Sequence, residues 1–337
     1  MSTTTVGKPI PKSGAPAHRT RVYNDIFEML PDVDNPSPMV RINRLNPVKS
    51  FQLFAKLEWL NPLGSVKDRA AWQMIRDLEE RGELGDGRGI VEPTSGNTGI
   101  SLAALAGARG YSTRAVVPNK VPKEKKILLK IFGAELDVVN DALCPAPGLG
   151  DGSINLAKTH AKAARDKYVM PNQYENQKNV EAHLKTTGPE IWKQTEGEVT
   201  HVFTSLGTCG TVTGLSRYLK KKDANIRIYA VQPTEGHDVP GLRNISQLEA
   251  SKLFDPSLID EILEIDYELA YTRAMELCQK EGLMAGPSSG LIFEGATRVL
   301  QNEREGCGVM IFCDNIFKYA SNMALHLKDL GEGLEPR

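Results

Sequence analysis

Lys67 is the first residue that could do covalent chemistry, in the segment NPLGSVKDR at residues 61–69. The segment predicts the first turn of a helix, where the positive end of the helix dipole disfavours a cation. A lysine amine in that position should lose its proton more easily than usual, which suits a nucleophile or a Schiff base. A surface lysine paired with Asp68 is the alternative interpretation, and spacing alone leaves it open.

A second candidate is the polar turn EPTSGNTG at residues 92–99, which stands where a predicted strand ends and a helix begins. Its hydroxyls, amide and backbone N–H groups lie at a helix N-terminus, where the dipole favours a carboxylate or a phosphate. Thr, Ser and Asn are also common helix caps, so a capped helix start without a ligand is the alternative.

A third candidate is the turn SLGTCGT at residues 205–211, again between a predicted strand and a predicted helix. Its glycines let the backbone approach a phosphate, and its threonine hydroxyls add donors. The glycine spacing differs from the dinucleotide fingerprint, and the next strand ends at Gln232 where a ribose-binding acid is expected. No P-loop motif occurs in the chain. The turn therefore predicts a phosphate site and disfavours NAD and ATP.

These turns need a scaffold that brings the ends of different strands together. Short apolar runs alternate with helical patterns, beginning with a strand at 51–59 and a helix at 67–81. The alternation predicts an α/β fold of parallel sheets covered by helices, in which ligands bind at the carboxyl ends of the strands. Further strands are predicted at 89–92, 113–117, 134–139, 201–205, 226–232 and 308–314, and further helices at 97–109, 122–132, 155–167, 208–222 and 266–282.

The charge balance excludes several classes of partner. The 337 residues carry 41 Lys and Arg against 42 Asp and Glu, a formal net charge of −1. Such a chain has no global field for gripping nucleic acid or anionic lipid, so neither is expected as a partner. The lysine-rich runs at 123–126 and 220–222 are interpreted as solvated faces. The most apolar helical run, at 99–108, is too short to span a bilayer, so no membrane segment is expected.

The cysteines favour a reducing compartment. They are odd in number and widely spaced with no C-x-x-C pair, which argues against a zinc site or a disulfide framework. A cytoplasmic protein with no metal is therefore expected. The Thr-, Pro-, Ser- and Gly-rich residues 1–24 are predicted to be a flexible arm. The five cysteines are Cys144, Cys209, Cys278, Cys307 and Cys313.

From about residue 36 to residue 319 the chain resembles the cysteine synthase and cystathionine β-synthase family of fold-type II pyridoxal phosphate enzymes. The matching pieces, in family order, are KLEWLNPLGSVKDR, EPTSGNTGISLA, NQYENQKNVEAHLKTTGPEIW, GTCGTVTG and AGPSSG. The resemblance implies two lobes, each with a mainly parallel twisted sheet. Residues 25–61 and 173–330 are expected to form the larger, phosphate-binding lobe, and residues 62–172 a smaller mobile lobe that closes over the substrate. A homodimer is also implied.

The resemblance implies roles for most of these residues. Lys67 would form the Schiff base with pyridoxal 5′-phosphate and later act as general base. Asn97 would bond the 3′-oxygen of the cofactor. The phosphate would be held by Gly207, Thr208, Cys209, Gly210 and Thr211. The α-carboxylate of the amino-acid substrate would be held by Thr94, Ser95, Gly96, Asn97 and Thr98, together with Gln173.

Two positions depart from the family pattern. The family commonly places a serine at the pyridine nitrogen, and here Asn315 is expected in that role, with Asp314 as the rival. A neutral asparagine should leave the ring nitrogen largely unprotonated, which favours elimination over transamination. Cys209 replaces a residue that is often glycine, and a small buried thiol is favoured over a catalytic one. The turn at Ser288 and Ser289 keeps the family's small hydroxyls near the ring.

The loop GHDVPGLRN at residues 236–244 bears on the substrate. It lacks the P-H-x-x-Q-G pattern usual with O-acetylserine, and Arg243 stands where phosphoserine-dependent relatives carry an arginine. A guanidinium suits a phosphate by charge and by paired donors, whereas an exposed loop arginine is the alternative. The resemblance thus implies β-replacement on O-phosphoserine through an α-aminoacrylate, giving cysteine from a sulfur nucleophile. The resemblance leaves two alternatives open. In the first, the same half-reaction uses another nucleophile, either an amine giving 2,3-diaminopropionate or homocysteine giving cystathionine. In the second, the chain is a catalytically silent regulatory relative.

Overall fold

The computed structural model describes residues 22–85, 87–140 and 152–331, in which strands and helices alternate. The strands are β1 (Met39–Arg41), β2 (Phe51–Leu57), β3 (Gly89–Pro93), β4 (Thr113–Pro118), β5 (Glu135–Val139), β6 (Tyr168–Val169), β7 (His201–Ser205), β8 (Arg227–Pro233), β9 (Glu261–Ile265) and β10 (Gly306–Phe312). The helices are α1 (Lys67–Glu80), α2 (Asn97–Ala108), α3 (Lys123–Ile131), α4 (Gly152–Ala163), α5 (Gln177–Lys185), α6 (Thr187–Gln194), α7 (Gly210–Lys222), α8 (Tyr267–Glu276), α9 (Pro287–Leu300) and α10 (Ala320–His326).

The larger sheet has the strand order β1-β2-β10-β7-β8-β9. Its strands pair in parallel except for β1, which runs antiparallel to β2. Strand β7 is buried along its whole length, and β10 is buried from its second residue on, as parallel strands covered on both faces require. Helix α7 covers one face by burying Val212, Leu215 and Leu219 at helical spacing.

The smaller sheet has the order β5-β4-β3-β6 and is parallel throughout. Together the two sheets confirm the predicted α/β class with a mainly parallel arrangement. The predicted lobe boundaries agree with the division of strands between the sheets but stay a prediction. Most of the predicted arm 1–24 lies outside the described residues. No helix among the described residues is long and apolar enough to cross a membrane.

Several elements were not predicted from the sequence. Helices α5 and α6 follow one another with only Thr186 between them, and Pro189 sits in the first turn of α6, where proline is tolerated. Helix α9 begins with Pro287 and includes the serine turn that the sequence placed near the cofactor. The predicted helix at 155–167 begins and ends earlier, at Gly152–Ala163.

A buried ion-pair cluster fixes the first turn of α1. The Arg69 guanidinium donates to Glu58 through Nε at 2.7 Å and to Glu190 through Nη2 at 2.8 Å. All three side chains are almost fully buried. Burial alone would raise the pKa of Glu58, but the adjacent Arg69 holds that pKa well below its usual range. The cluster therefore joins α1 to α6 and to the segment after β2.

Replacing Arg69 with alanine should lower the free energy of unfolding by ~3–5 kcal/mol, because it removes the guanidinium that pairs with both buried carboxylates and leaves Lys56 as the cation beside Glu190. Urea unfolding of the apoprotein measures this. The matched control is Arg76→Ala, which removes an exposed pair with Glu80 on the same helix and should cost ~0–1 kcal/mol. Equal losses of unfolding free energy in the two variants would contradict a stabilising role of the buried cluster.

Candidate active site

One cavity lies where the carboxyl ends of strands from both sheets meet the beginning of α1. Residues after β3, β7 and β10 contribute to its wall. This is the edge at which parallel α/β sheets bind ligands. The sequence-predicted site residues that line it are Lys67, Ser95, Asn97, Thr98, Gln173, Gly207, Thr208, Cys209, Thr211 and Arg243.

Lys67 is the first residue of α1 and places its amine at the cavity wall. Its Nζ lies 3.4 Å from Thr208 Oγ1 in the turn after β7. Burial lowers the pKa of the Lys67 amine, while the Cys313 and Cys209 thiols oppose that shift. The alternative pairing with Asp68 is not formed, because Asp68 accepts from the Leu63 N–H and the Ser101 hydroxyl. The amine is therefore available for covalent chemistry.

The turn at residues 207–211 has the form of an anion cup. A Cβ on Gly207 would lie 2.6 Å from the Gly241 carbonyl oxygen, so only glycine fits there. Cys209 takes a left-handed conformation at φ 66° immediately before α7 begins. The free N–H groups at this helix start can bind a phosphate.

Side chains from α5 form hydrogen bonds with the two threonine hydroxyls of the cup. Thr208 Oγ1 accepts from Asn179 Nδ2 at 3.0 Å, and Thr211 Oγ1 pairs with His183 Nε2 at 3.1 Å. Burial lowers the pKa of His183 to about 3, so its ring is neutral. Burial raises the pKa of the Cys209 thiol to about 12, which supports the buried-thiol interpretation over a nucleophilic one.

In the polar turn after β3, some residues hold the backbone of the turn and others line the cavity. Thr94 Oγ1 accepts from the N–H groups of Gly96 and Gly99, so it closes the turn and does not line the cavity. Gly96 has φ 125° and also lies outside the lining. Thr98 donates to Gln173 Oε1 at 2.6 Å, which joins two of the residues that do line the cavity. Of the residues predicted to hold the substrate carboxylate, Ser95, Asn97, Thr98 and Gln173 thus line the cavity.

The structure corrects the prediction for Asn315. The chain is extended after β10, so neighbouring side chains point to opposite sides, and Asp314 faces the cavity while Asn315 does not. The Asn315 amide instead lies against Gly64. Ser288, at the start of α9, lines the cavity. The family's usual serine was the signal that could have pointed to Ser288. Gly210 also lies outside the lining, since it packs on Asn179.

The interpretation of residues 123–126 as a solvated face is wrong for Lys125. Its side chain is 1% exposed, and its Nζ donates to the Tyr319 hydroxyl at 2.7 Å. The sequence signal was weak, because a lysine in a run of charges is indistinguishable from its neighbours without the fold. Tyr319 also lines the cavity and was not predicted as a site residue.

Arg243 is buried at the cavity wall rather than exposed on its loop, with 5% of its surface accessible. Its guanidinium donates to the Tyr174 hydroxyl and the Gln247 carbonyl, each at 3.3 Å. Its backbone N–H donates to the Leu206 carbonyl at 2.9 Å, which ties the loop to the anion cup. A guanidinium and the turn at residues 207–211 therefore lie in the same cavity.

The residues present fit pyridoxal phosphate. An amine of lowered pKa suits its aldehyde, the cup at 207–211 suits its phosphate, and the Asn97 amide and Ser288 hydroxyl are hydrogen-bonding groups in the same lining. No group of three or more His, Cys, Asp or Glu among the described residues could hold a metal ion. The four cysteines within the described residues are free thiols, and Cys144 lies outside them.

Comparison with known proteins gives the same family. The family profile described as "Pyridoxal-phosphate dependent enzyme" matches residues 31–314. Cysteine synthase B of Salmonella typhimurium is 39% identical over 285 residues, covering 85% of this chain and 92% of the relative. The probable cysteine synthase of Bacillus subtilis is 42% identical over 272 residues, covering 77% and 85%.

Solved structures agree with the sequence relatives. O-ureido-L-serine synthase superposes with a TM-score of 0.81 at 29% identity, covering 94% of this chain and 97% of its own. Cysteine synthase from Entamoeba histolytica superposes with a TM-score of 0.77 at 29% identity, covering 97% and 96%. The chain therefore belongs to the pyridoxal-phosphate dependent enzyme family, as a β-replacement enzyme of the cysteine synthase type.

Proposed function

We propose that this enzyme replaces the β-substituent of O-phosphoserine, in preference to O-acetylserine, and forms L-cysteine from a sulfur nucleophile. The observation that carries the substrate preference is the buried position of Arg243 at the cavity wall. A guanidinium at a cavity wall suits a phosphate, because it carries a positive charge and its planar fork presents paired donors. Relatives named cysteine synthases support the sulfur nucleophile.

Each anion would have its own binding element. The cup at residues 207–211 would hold the cofactor phosphate, and Arg243 would hold the phosphate that leaves the substrate. The backbone hydrogen bond from Arg243 to Leu206 keeps the two elements adjacent, so a substrate bound near the cofactor can reach the guanidinium. Two cationic or N–H-rich elements in one cavity are more than a single phosphate requires.

Pyridoxal phosphate, when bound, supplies an electron sink for negative charge at the substrate α-carbon. Lys67 Nζ would take the α-proton and return it, a role suited to an amine whose pKa is lowered by burial. Ser95, Thr98 and Gln173 would hold the substrate carboxylate and thereby orient the α-carbon hydrogen toward that amine. Closure of the smaller lobe would exclude water.

Ser288 would face the ring nitrogen, in place of the Asn315 assignment. A serine hydroxyl is neutral, so the ring nitrogen should stay largely unprotonated, which restrains charge build-up and favours loss of the β-substituent. Asp314 is a weaker candidate, because its Oδ2 accepts from Tyr319 and Asn97 and its Oδ1 packs against Gly286.

The family resemblance supports a homodimer with one site per subunit. Free thiols at the described cysteines support a reducing, cytoplasmic location. The residues described above all act on the serine half of the reaction, so amine and homocysteine nucleophiles would share them. The names of the relatives are what favour sulfur.

Borohydride reduction of the holoenzyme followed by peptide mapping should label Lys67. The cavity region holds two other buried lysines, Lys125 and Lys318, which serve as internal controls. We expect the label on the peptide containing Lys67 and its absence from a Lys67→Ala variant. A label on either other lysine in the wild-type enzyme would overturn the assignment.

Replacing Ser288 with alanine should lower kcat by about tenfold, since a buried hydrogen bond to the ring is lost. The matched variant is Asn315→Ala, which should keep kcat within about twofold because Asn315 does not line the cavity. Steady-state turnover with saturating substrate measures both. The reverse pattern, with Asn315→Ala the slower enzyme, would restore the original assignment.

Replacing Arg243 with alanine should lower kcat/KM for O-phosphoserine by about a hundredfold, because charge-assisted hydrogen bonds to the leaving phosphate are lost. The value for O-acetylserine should change by no more than about threefold. Release of phosphate and of acetate measures the two substrates separately. Arg243→Lys keeps the positive charge but not the planar guanidinium. Its kcat/KM for O-phosphoserine should lie between the wild-type value and that of Arg243→Ala. Equal losses with both substrates would contradict the O-phosphoserine preference.

A further inference from the structure

A cluster of buried charged and polar side chains lies at the wall of the cavity, and the function proposed above gives its two lysines no catalytic or binding role. We define this buried cluster as Lys125, Asp314, Lys318 and Tyr319. Each of them is no more than 5% exposed. Three charged groups are costly to bury, so their arrangement calls for a reason beyond packing.

A chain of hydrogen bonds runs from one end of the cluster to Asn97. Lys125 Nζ donates to the Tyr319 hydroxyl at 2.7 Å. That hydroxyl donates to Asp314 Oδ2 at 2.6 Å, and the same oxygen accepts from Asn97 Nδ2 at 2.7 Å. Lys125 Nζ is itself 3.7 Å from Asp314 Oδ2. The ammonium group thus orients the hydroxyl, and the hydroxyl and Asn97 share one carboxylate oxygen.

The other end of the Asn97 amide meets a cation. Lys318 Nζ lies 3.3 Å from Asn97 Oδ1 and donates to the carbonyls of Gly64 at 2.9 Å and Leu63 at 3.1 Å. An amide turned the other way would set its NH₂ group against an ammonium and its oxygen against a carboxylate. The cluster therefore allows a single orientation, with the second N–H of Asn97 Nδ2 left for another acceptor.

The members of the cluster come from different layers of the fold. Lys125 lies in α3, which contacts the smaller sheet, whereas Asp314, Lys318 and Tyr319 follow β10 of the larger sheet. The Lys125 side chain also packs on Gly96, where a Cβ would lie 2.4 Å from Lys125 Cδ. One lysine therefore contacts both the polar turn after β3 and the groups that hold Asn97.

We propose that Lys125 and Tyr319 are positioning residues that act on the cofactor site through Asp314 and Asn97. The proposal goes beyond the proposed function and rests on one implication of the family resemblance, the binding of the 3′-oxygen of pyridoxal phosphate by Asn97. Through this chain of hydrogen bonds, α3 sets the orientation of the Asn97 amide. Both residues act through these neighbours and not by contact with the reacting atoms.

The test uses the full-length enzyme and pyridoxal phosphate as the probe. Tyr319→Phe removes only a hydroxyl and keeps the ring, and Lys125→Met removes the cation while keeping an unbranched chain. Lys130→Met, at an exposed position on the same helix, is the control. The readouts are the dissociation constant of the cofactor from the apoprotein, the visible absorption band of the bound cofactor, and the apoprotein melting temperature.

Tyr319→Phe and Lys125→Met should each weaken cofactor binding by about tenfold and shift the absorption band, since Asn97 loses its fixed orientation. Because both act through one chain, the double variant should also lose about tenfold rather than about a hundredfold. Lys125→Arg should recover most of the affinity, and Lys130→Met should match the wild type.

Wild-type affinity and spectrum in both single variants would overturn the proposal. Lower melting temperatures with an unchanged cofactor spectrum would also overturn it, because they indicate a purely structural role, and so would additive losses in the double variant. If Lys125→Met does not fold, the cofactor affinity and spectrum of Tyr319→Phe test the proposal. Failure of the proposed function shows differently: the wild-type holoenzyme would bind cofactor normally yet release no phosphate from O-phosphoserine.

Discussion

The cavity depends first on how the beginning of α1 is anchored. Lys67 is the first residue of this helix, and two residues later Arg69 is buried between Glu58 and Glu190. One guanidinium thus joins the segment after β2, the first turn of α1, and α6. Since an unpaired buried charge is costly, the first turn has little freedom to shift. The position of the Lys67 amine therefore depends on an ion-pair cluster that does not itself line the cavity.

Burial also sets the charge states around the cavity. It lowers the pKa of the Lys67 amine, and it raises the pKa of Asp68 to about 6 and that of Glu92 to about 8. Glu92 accepts from the backbone N–H groups of Asn172 and Gln173, so it holds the segment that presents Gln173 to the cavity. A readily deprotonated amine thus lies at the cavity wall, while Asp68 and Glu92 are buried behind it as hydrogen-bonded acids.

The Arg243 loop and the turn at residues 207–211 are joined by backbone contacts. Gly207 packs against the Gly241 carbonyl, and the Arg243 N–H bonds the Leu206 carbonyl. The loop that would choose the leaving group is thus attached to the turn that would hold the cofactor. A change in that loop can alter the substrate while the turn stays in place. This is a physical route by which one fold can serve several activated serines.

The sequence by itself determined the alternation of strands and helices, the three ligand turns at strand ends, and Lys67. These are local properties, because periodicity, glycine spacing and helix starts are set by residues close together in the chain. The sequence did not predict four elements whose local patterns are weak: the short strand β6, the edge strand β9, and helices α5 and α6.

Only the tertiary structure decided which side chains meet. It placed Ser288 rather than Asn315 at the cavity, buried Arg243, and brought Lys125 to a tyrosine 194 residues away in sequence. Whether a lysine in a charged run faces water or a buried carboxylate depends on what packs against its helix. That partner is chosen by the docking of distant elements, which no local pattern encodes.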